Sequence, residues 1–277
     1  MDSVSTCEST IILVRKKGVD KMTMVQTDAP NIVLKGLSKT FSETQEQGSY
    51  VLENVDLTIN RGEFYILLGP SGCGKSTLLN ILAGFIEKSS GELTIQSQLA
   101  PQEENRGFVF QSADSALFPW LSVEENVEFG LKMKKVPAAE RKEIANYYIK
   151  LAGLAGHNQK FPKEISGGMK QRVQLARVLA NDPQILLMDE PFGALDAMTR
   201  RTMQKELIRI WTETNKTVIF VTHDIQEALM LGQRIGIMSV GPSSKIIQSY
   251  QIDMSYPREI TSPDFNEYYK VVQSHFD

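Results

Sequence analysis

Cysteine is almost missing from this chain. Cys7 and Cys73 are the two present among 277 residues, too few for a disulfide framework or a cysteine metal cluster. A reducing, cytoplasmic setting is the matching expectation. Long apolar runs are missing too, and none approaches the about 18 residues that a membrane-spanning helix requires. The run Ile11-Ile12-Leu13-Val14 is too short for a signal-peptide core, and its basic cluster Arg15-Lys16-Lys17 lies on the wrong side of it. Any crossing of a membrane therefore falls to another chain, and this one is expected to be soluble or peripheral. A marked charge of either sign is also absent: 30 basic and 33 acidic residues leave a net charge of −3. That balance argues against nucleic acid as a partner. No segment repeats internally.

What is present is ordinary in bulk and orderly along the chain. Hydrophobic residues make up 42% of the sequence, enough for a sizeable core in one large domain or a domain with a subdomain. Residues 1–30 lack a sustained period and read as a mobile extension, with Met22 and Met24 as alternative starts. Strands are expected at 32–37 and 51–59, joined through polar residues 42–49 in a hairpin-type connection. A buried strand at 64–68 and a helix at 76–83 follow, then strands at 92–96 and 106–110. From Ser122 to Ala152 the spacing turns helical; Ser122 and Glu125 are set for a capping box, and Pro137 falls near the start of a second helix. Beyond the glycines 167 and 168 the pattern alternates: helix to about 180, strand 185–189, helix 198–214, strand 217–222, helix 225–231, strand 234–239. Such alternation implies a parallel, helix-covered sheet, with residues 112–165 as an inserted helical lobe. Within 241–277, residues 245–250 suit an edge strand and the remainder reads as a polar C-terminal tail.

The segment Gly69-Pro70-Ser71-Gly72-Cys73-Gly74-Lys75-Ser76-Thr77 matches the phosphate-loop pattern G-x-x-x-x-G-K-[ST]. Its glycines let backbone N–H groups turn inward as an anion nest. Lys75 supplies a point charge for the β- and γ-phosphates, and Ser76 offers a hydroxyl to Mg²⁺. Asp189 ends an apolar run and so emerges at the carboxyl end of a buried strand, where ligands bind in open α/β sheets. There it can hold Mg²⁺, while Glu190 can polarise a water as general base; two solvated acids at a turn are the plainer alternative. His223 and Gln111 end strands of their own and can reach the γ-phosphate, the water and, for Gln111, the metal. Cys73, near Lys75 and a helix N-terminus, is expected to face the phosphates as a reactive thiolate.

Ser166-Gly167-Gly168 precedes a helix and makes a second nest, with Lys170, Arg172 and Arg177 on the turns that follow. One nucleotide does not need two nests from one chain. A second copy arranged head to tail would hold each ATP between one phosphate loop and the other Ser-Gly-Gly, with ATP as the adhesive of a C2 dimer.

Over roughly residues 31–240 the chain resembles the ATP-binding subunit of ABC transporters. GPSGCGKST is similar to Walker A, ISGGM (165–169) to the signature motif usually written LSGGQ, and ILLMDE (185–190) to Walker B with its catalytic Glu. Ala194-Leu195-Asp196 resembles the D-loop, and Gln111 and His223 fall at the Q-loop and H-loop positions. Phe41 matches the aromatic that stacks on adenine; Tyr50 is a second candidate, and a plain core aromatic is the other reading. Ile165 replaces the usual Leu at similar volume. Met169 replaces the usual Gln, so a side-chain contact to ATP is lost while the nest remains. Met169, LFPWLSVEENV (117–127) and MDEPFGALDAMTR (188–200) resemble the importer branch for nitrate, sulfonate and taurine.

The resemblance implies an α/β P-loop NTPase (RecA-like) core with an N-terminal antiparallel β subdomain and an inserted helical subdomain. It implies a homodimeric ATPase using ATP and Mg²⁺ at the cytoplasmic face of a bacterial membrane, working with permease subunits and, indirectly, an extracytoplasmic solute-binding protein. Catalysis would fall to Glu190, His223 and Gln111, and the metal to Ser76, Gln111 and Asp189. ATP would be held by Phe41, Gly69, Pro70, Ser71, Gly72, Cys73, Gly74, Lys75, Ser76, Thr77, Ser166, Gly167, Gly168 and Asp196. Leu117-Phe118-Pro119-Trp120-Leu121 would line a groove for a permease helix, unless Phe118 and Trp120 are core of the helical lobe. A soluble ABC ATPase acting on DNA or ribosomes is the rival; the single Walker A and the lack of a long coiled-coil insertion disfavour it. A P-loop kinase is a third reading, disfavoured by the second nest and the paired Asp189 and Glu190.

Overall fold

Residues 30–41, 50–96, 106–114, 116–193 and 195–276 are described by the computed structural model. The expectations for the N-terminal extension, the 42–49 connection and Ala194 lie outside them, apart from Pro30, which opens the first strand. β1 (Pro30–Thr40) pairs antiparallel with β2 (Tyr50–Asn60), from Pro30 opposite Asn60 to Thr40 opposite Tyr50. That register is the one a hairpin connection gives. Leu52, Val55, Leu57 and Ile59 of β2 are buried among more exposed neighbours, the period of a sheet with one wet face. β3 (Phe64–Leu68) is buried throughout and leads into α1 (Lys75–Ala83); β4 (Ser90–Ile95) then returns to pair with β1.

Past β5 (Arg106–Val109), the chain forms α2 (Val123–Met133) and α3 (Ala138–Leu151). Ser122 starts α2 through a complete capping box with Glu125, and Pro137 stands at the N-cap of α3. α4 (Gly167–Ala180), β6 (Ile185–Asp189), α5 (Ala197–Thr214), β7 (Thr217–Thr222), α6 (Ile225–Leu231) and β8 (Arg234–Met238) follow. Leu117, Val123, Val127, Ile149, Val173 and Ala176 give α2, α3 and one side of α4 a separate small core.

The second sheet has the order β5-β6-β7-β3-β8-β9, with β9 (Ile246–Gln251) antiparallel to β8 and the other pairs parallel. Its inner strands alternate between two cores. Tyr65, Leu67, Leu187 and Val221 face α1 and the antiparallel sheet, while Phe64, Ile66, Leu186 and Phe220 face the helices on the other side.

The C-terminal region corrects the reading of a polar tail. β9 forms the expected edge strand, but α7 (Pro263–Gln273) then buries Phe265 and Val272 in the main core beside Ile252. Ser262 caps it by accepting from the Phe265 N–H, and Pro263 takes the first helical position, where its missing N–H costs nothing.

Candidate functional site

Strand order decides what meets at the carboxyl edge of the parallel sheet. β3, β7, β6 and β5 lie side by side, with Leu68 opposite Thr222, Val221 opposite Asp189, and Met188 opposite Val109. The residues that leave those strands are therefore the 69–77 loop, His223, Glu190 and Gln111. Four segments far apart in sequence meet along one line.

Within the loop, Gly72 and Gly74 take φ of 81° and 88°, in the left-handed region that glycine tolerates. A Cβ on Gly74 would come within 2.8 Å of Leu52 Cδ2, so β2 packs directly against the loop. The buried Lys75 ammonium donates to the carbonyls of Gly69 and Pro70, each at 2.7 Å. It is thus held inside the loop's curve. Ser76 Oγ donates to Asp189 Oδ1 at 3.0 Å, which places a hydroxyl and a carboxylate together where α1 meets β6. Burial raises the Asp189 carboxyl above its ordinary value; the Ser76 bond and Lys75 counter that, and the Glu190 charge adds to it.

Glu190 has φ of 42°, a costly conformation for a residue with a Cβ, and its N–H donates to Val221 O at 3.1 Å. Glu190 Oε1 lies 3.1 Å from His223 Nδ1, and Gln111 Nε2 donates to Glu190 Oε2 at 3.4 Å. The three residues expected to act on water therefore converge on one carboxylate.

Other expectations divide. Ser166 caps α4 by accepting from the Met169 N–H at 3.3 Å, and Asp196 caps α5 by accepting from Thr199 at 3.0 Å. Among the described residues no hydrogen bond or ion pair joins Ser166, Gly167 or Gly168 to the 69–77 loop. The bases beside the second nest are engaged elsewhere. Lys170 pairs with Asp114, Arg172 donates to Ala152 and Gly153 carbonyls, and Arg177 stacks 4.5 Å above Phe118. Phe41 is 63% exposed with Lys39 Nζ 4.8 Å from its ring centre, so it is not a core aromatic. The 117–121 stretch also divides. Leu117 is buried, Phe118 is half-buried between Arg177 and Phe129, and Trp120 is 70% exposed. Buried Asn126 fastens the stretch by bonding Phe118 N, Phe118 O and Leu121 O.

Cys73 is buried, with Lys75 Nζ 3.8 Å from its Sγ. It is 1% exposed and belongs to the α1-side core, and a Cβ on Gly69 would come within 2.9 Å of its Sγ. Burial pushes its thiol up, and nearby Lys75 only partly offsets this. The expectation of a reactive thiolate is overturned because the side chain is buried; its backbone still belongs to the loop.

Sequence reasoning missed the buried polar residues behind the site. Gln171 of α4 donates to Phe110 O at 3.3 Å, bracing the residue before Gln111, and Glu227 of α6 bonds Thr222 beside His223. Both sit at polar positions on otherwise buried helix faces, the one signal available.

A largely parallel sheet with a glycine phosphate loop, a hydroxyl–carboxylate pair and a Glu directly after that carboxylate defines a P-loop nucleoside triphosphatase. The profile of the ABC transporter family matches residues 52–193. An aliphatic sulfonates import ATP-binding protein of Bacillus cereus is 44% identical over 247 residues, covering 89% of this chain and 96% of that protein. A taurine import ATP-binding protein of Roseobacter denitrificans is 44% identical over 220 residues, or 79% of this chain and 81% of its own. Among solved structures, a dimeric ATP-binding cassette in a post-hydrolysis state with ADP and Pi aligns with a TM-score of 0.71 at 36% identity, covering 81% of this chain and 100% of that one. The chain belongs to the ABC transporter family, and its activity is that of an ATPase.

Proposed function

We propose that this chain is the ATP-hydrolysing subunit of an importer for a small anion of the sulfonate, taurine or nitrate kind. Two copies would clasp two ATP molecules head to tail at the cytoplasmic face of a membrane. The observation that carries the reading is the convergence of Gln111, Glu190 and His223 beside the Ser76–Asp189 pair. Glu190 accepts the proton of the water that attacks the γ-phosphorus, as the bond to the ADP oxygen breaks. His223 and Gln111 orient Glu190 and that water, and Lys75 neutralises phosphate charge. Mg²⁺ suits the site: Ser76 and Asp189 are oxygen donors, and Mg²⁺ takes one or two protein oxygens while keeping its waters. When bound, it screens the charge that builds on the phosphates. Phe41, exposed just past the end of β1, stacks on adenine. Ser166, Gly167, Gly168 and Asp196 serve the partner's nucleotide, with Ser166 and Asp196 standing at the N-termini of α4 and α5.

Docking to permease subunits is supported by exposed Trp120 and by Phe85 and Phe110, both exposed and stacked with centroids 5.9 Å apart. The named relatives at 44% identity support the solute class. Glu190→Gln tests the mechanism. The amide keeps the shape but cannot take the proton, so hydrolysis should fall about 10²–10⁴-fold while ATP-bound dimer accumulates on size exclusion. A variant that stays monomeric with ATP, or turns over normally, contradicts the role given to Glu190.

A further inference from the structure

Behind His223 lies a buried polar chain. Glu227, in the first turn of α6, is only 8% exposed although it carries a carboxylate. Such a group is costly to bury without partners, and it has two. Thr222 Oγ1 donates to its Oε2 at 2.6 Å, and Gln204 Nε2 donates to its Oε1 at 3.1 Å. Burial raises the Glu227 carboxyl above its ordinary value and the Thr222 and Gln204 bonds counter it; Thr222, donating to Glu227, keeps its lone pairs for a donor. The Asp224 N–H fills that place at 3.1 Å, and Asp224 itself caps α6 through the N–H groups of Gln226 and Glu227. The backbone is thereby fastened on both sides of His223, the residue whose ring reaches Glu190. Gln204 belongs to α5, the helix that Asp196 begins.

We infer that Gln204, Glu227 and Thr222 are positioning residues: a relay that fixes His223 against Glu190 and ties its placement to the helix starting at Asp196. The inference rests on the reading that His223 acts in hydrolysis. None of the three need touch nucleotide, so their loss should slow turnover without weakening ATP binding.

Steady-state hydrolysis by the full chain tests this. Thr222→Val keeps the shape and removes the hydroxyl; Glu227→Leu removes the acceptor. Each should lower kcat at least about tenfold, the scale for a misplaced catalytic group, with KM for ATP unchanged. Thr222→Ser restores the hydroxyl and should restore kcat. Glu227→Gln should be tolerated, because Gln204 can turn its amide to accept from the new one while Thr222 still donates. Gln204→Leu, outside the strand, gives the same reading should Thr222→Val fail to fold. His223→Ala is the reference. If it keeps normal turnover, the role of His223 fails and the relay with it. If it is inactive while folded Thr222→Val and Gln204→Leu turn over normally, the relay alone is overturned; a rise in KM at constant kcat overturns it too.

Discussion

Arg258→Ala measures how firmly the C-terminal region is built into the domain. The Arg258 guanidinium is buried and donates to four carbonyls that close the end of α6 and the chain after β9. Leu229 and Gly232 receive Nη1 at 2.6 Å each, Met254 receives Nε at 3.1 Å, and Ile252 receives Nη2 at 3.4 Å. Tyr256 stacks 4.2 Å from it and donates its own hydroxyl to Leu231 O. A cation at a helix C-terminus is also favoured by the helix dipole. Truncation leaves the two short-bonded carbonyls without a partner, at about 1–3 kcal/mol each. Those two carbonyls alone give an expected loss of about 2–6 kcal/mol, on the order of 10 °C in Tm. Arg258→Lys should recover part of this, since one ammonium cannot span carbonyls that a planar fork reaches. Denaturant melts give the magnitude, and hydrogen exchange gives the place: protection should fall first in α6, β9 and α7. A loss below about 1 kcal/mol, or exchange spread evenly over the sheet, would refute the account of Arg258 as an anchor.

Cys73 should resist alkylation in the folded protein with or without MgATP, and mass mapping that finds it modified within minutes would contradict its burial. Ser166→Arg should abolish hydrolysis while leaving one ATP bound per chain. Mixing it with Lys75→Ala should restore part of the activity through one intact composite site, and no rescue in demonstrated mixed dimers would count against the head-to-tail arrangement.

Local chemistry was legible. β3, β6 and β7 are short apolar runs that end in Gly or a charged or polar residue, and each is a fully buried strand. The Ser122–Glu125 box was readable because both partners lie within one turn. α7 was also within reach: Ser262-Pro263 is a start signal, and Phe265, Tyr268 and Val272 keep helical spacing. Its low apolar content hid it, because a helix that buries two side chains needs few hydrophobic residues.

What sequence could not supply is direction and neighbourhood. Cys73 illustrates direction. Lys75 and a helix N-terminus are close to it in the chain, which argues for a thiolate, but the folded loop buries the sulfur in the core, where desolvation outweighs the nearby ammonium. Distance along the chain predicted the charge nearby and not the solvent lost. Neighbourhood explains the rest. No local pattern says that β6 sits between β5 and β7, yet that order puts His223 beside Glu190 and Gln111 within reach of the same carboxylate. Motifs named the participants because each needs its own strand end. Their convergence depends on pairings between strands more than a hundred residues apart in the case of β3 and β7, and the same pairings hide Gln171 and Glu227, whose roles exist only once α4 and α6 have docked. A motif can therefore nominate the groups that meet the nucleotide, while the groups that hold them in place must be read from the packed sheet.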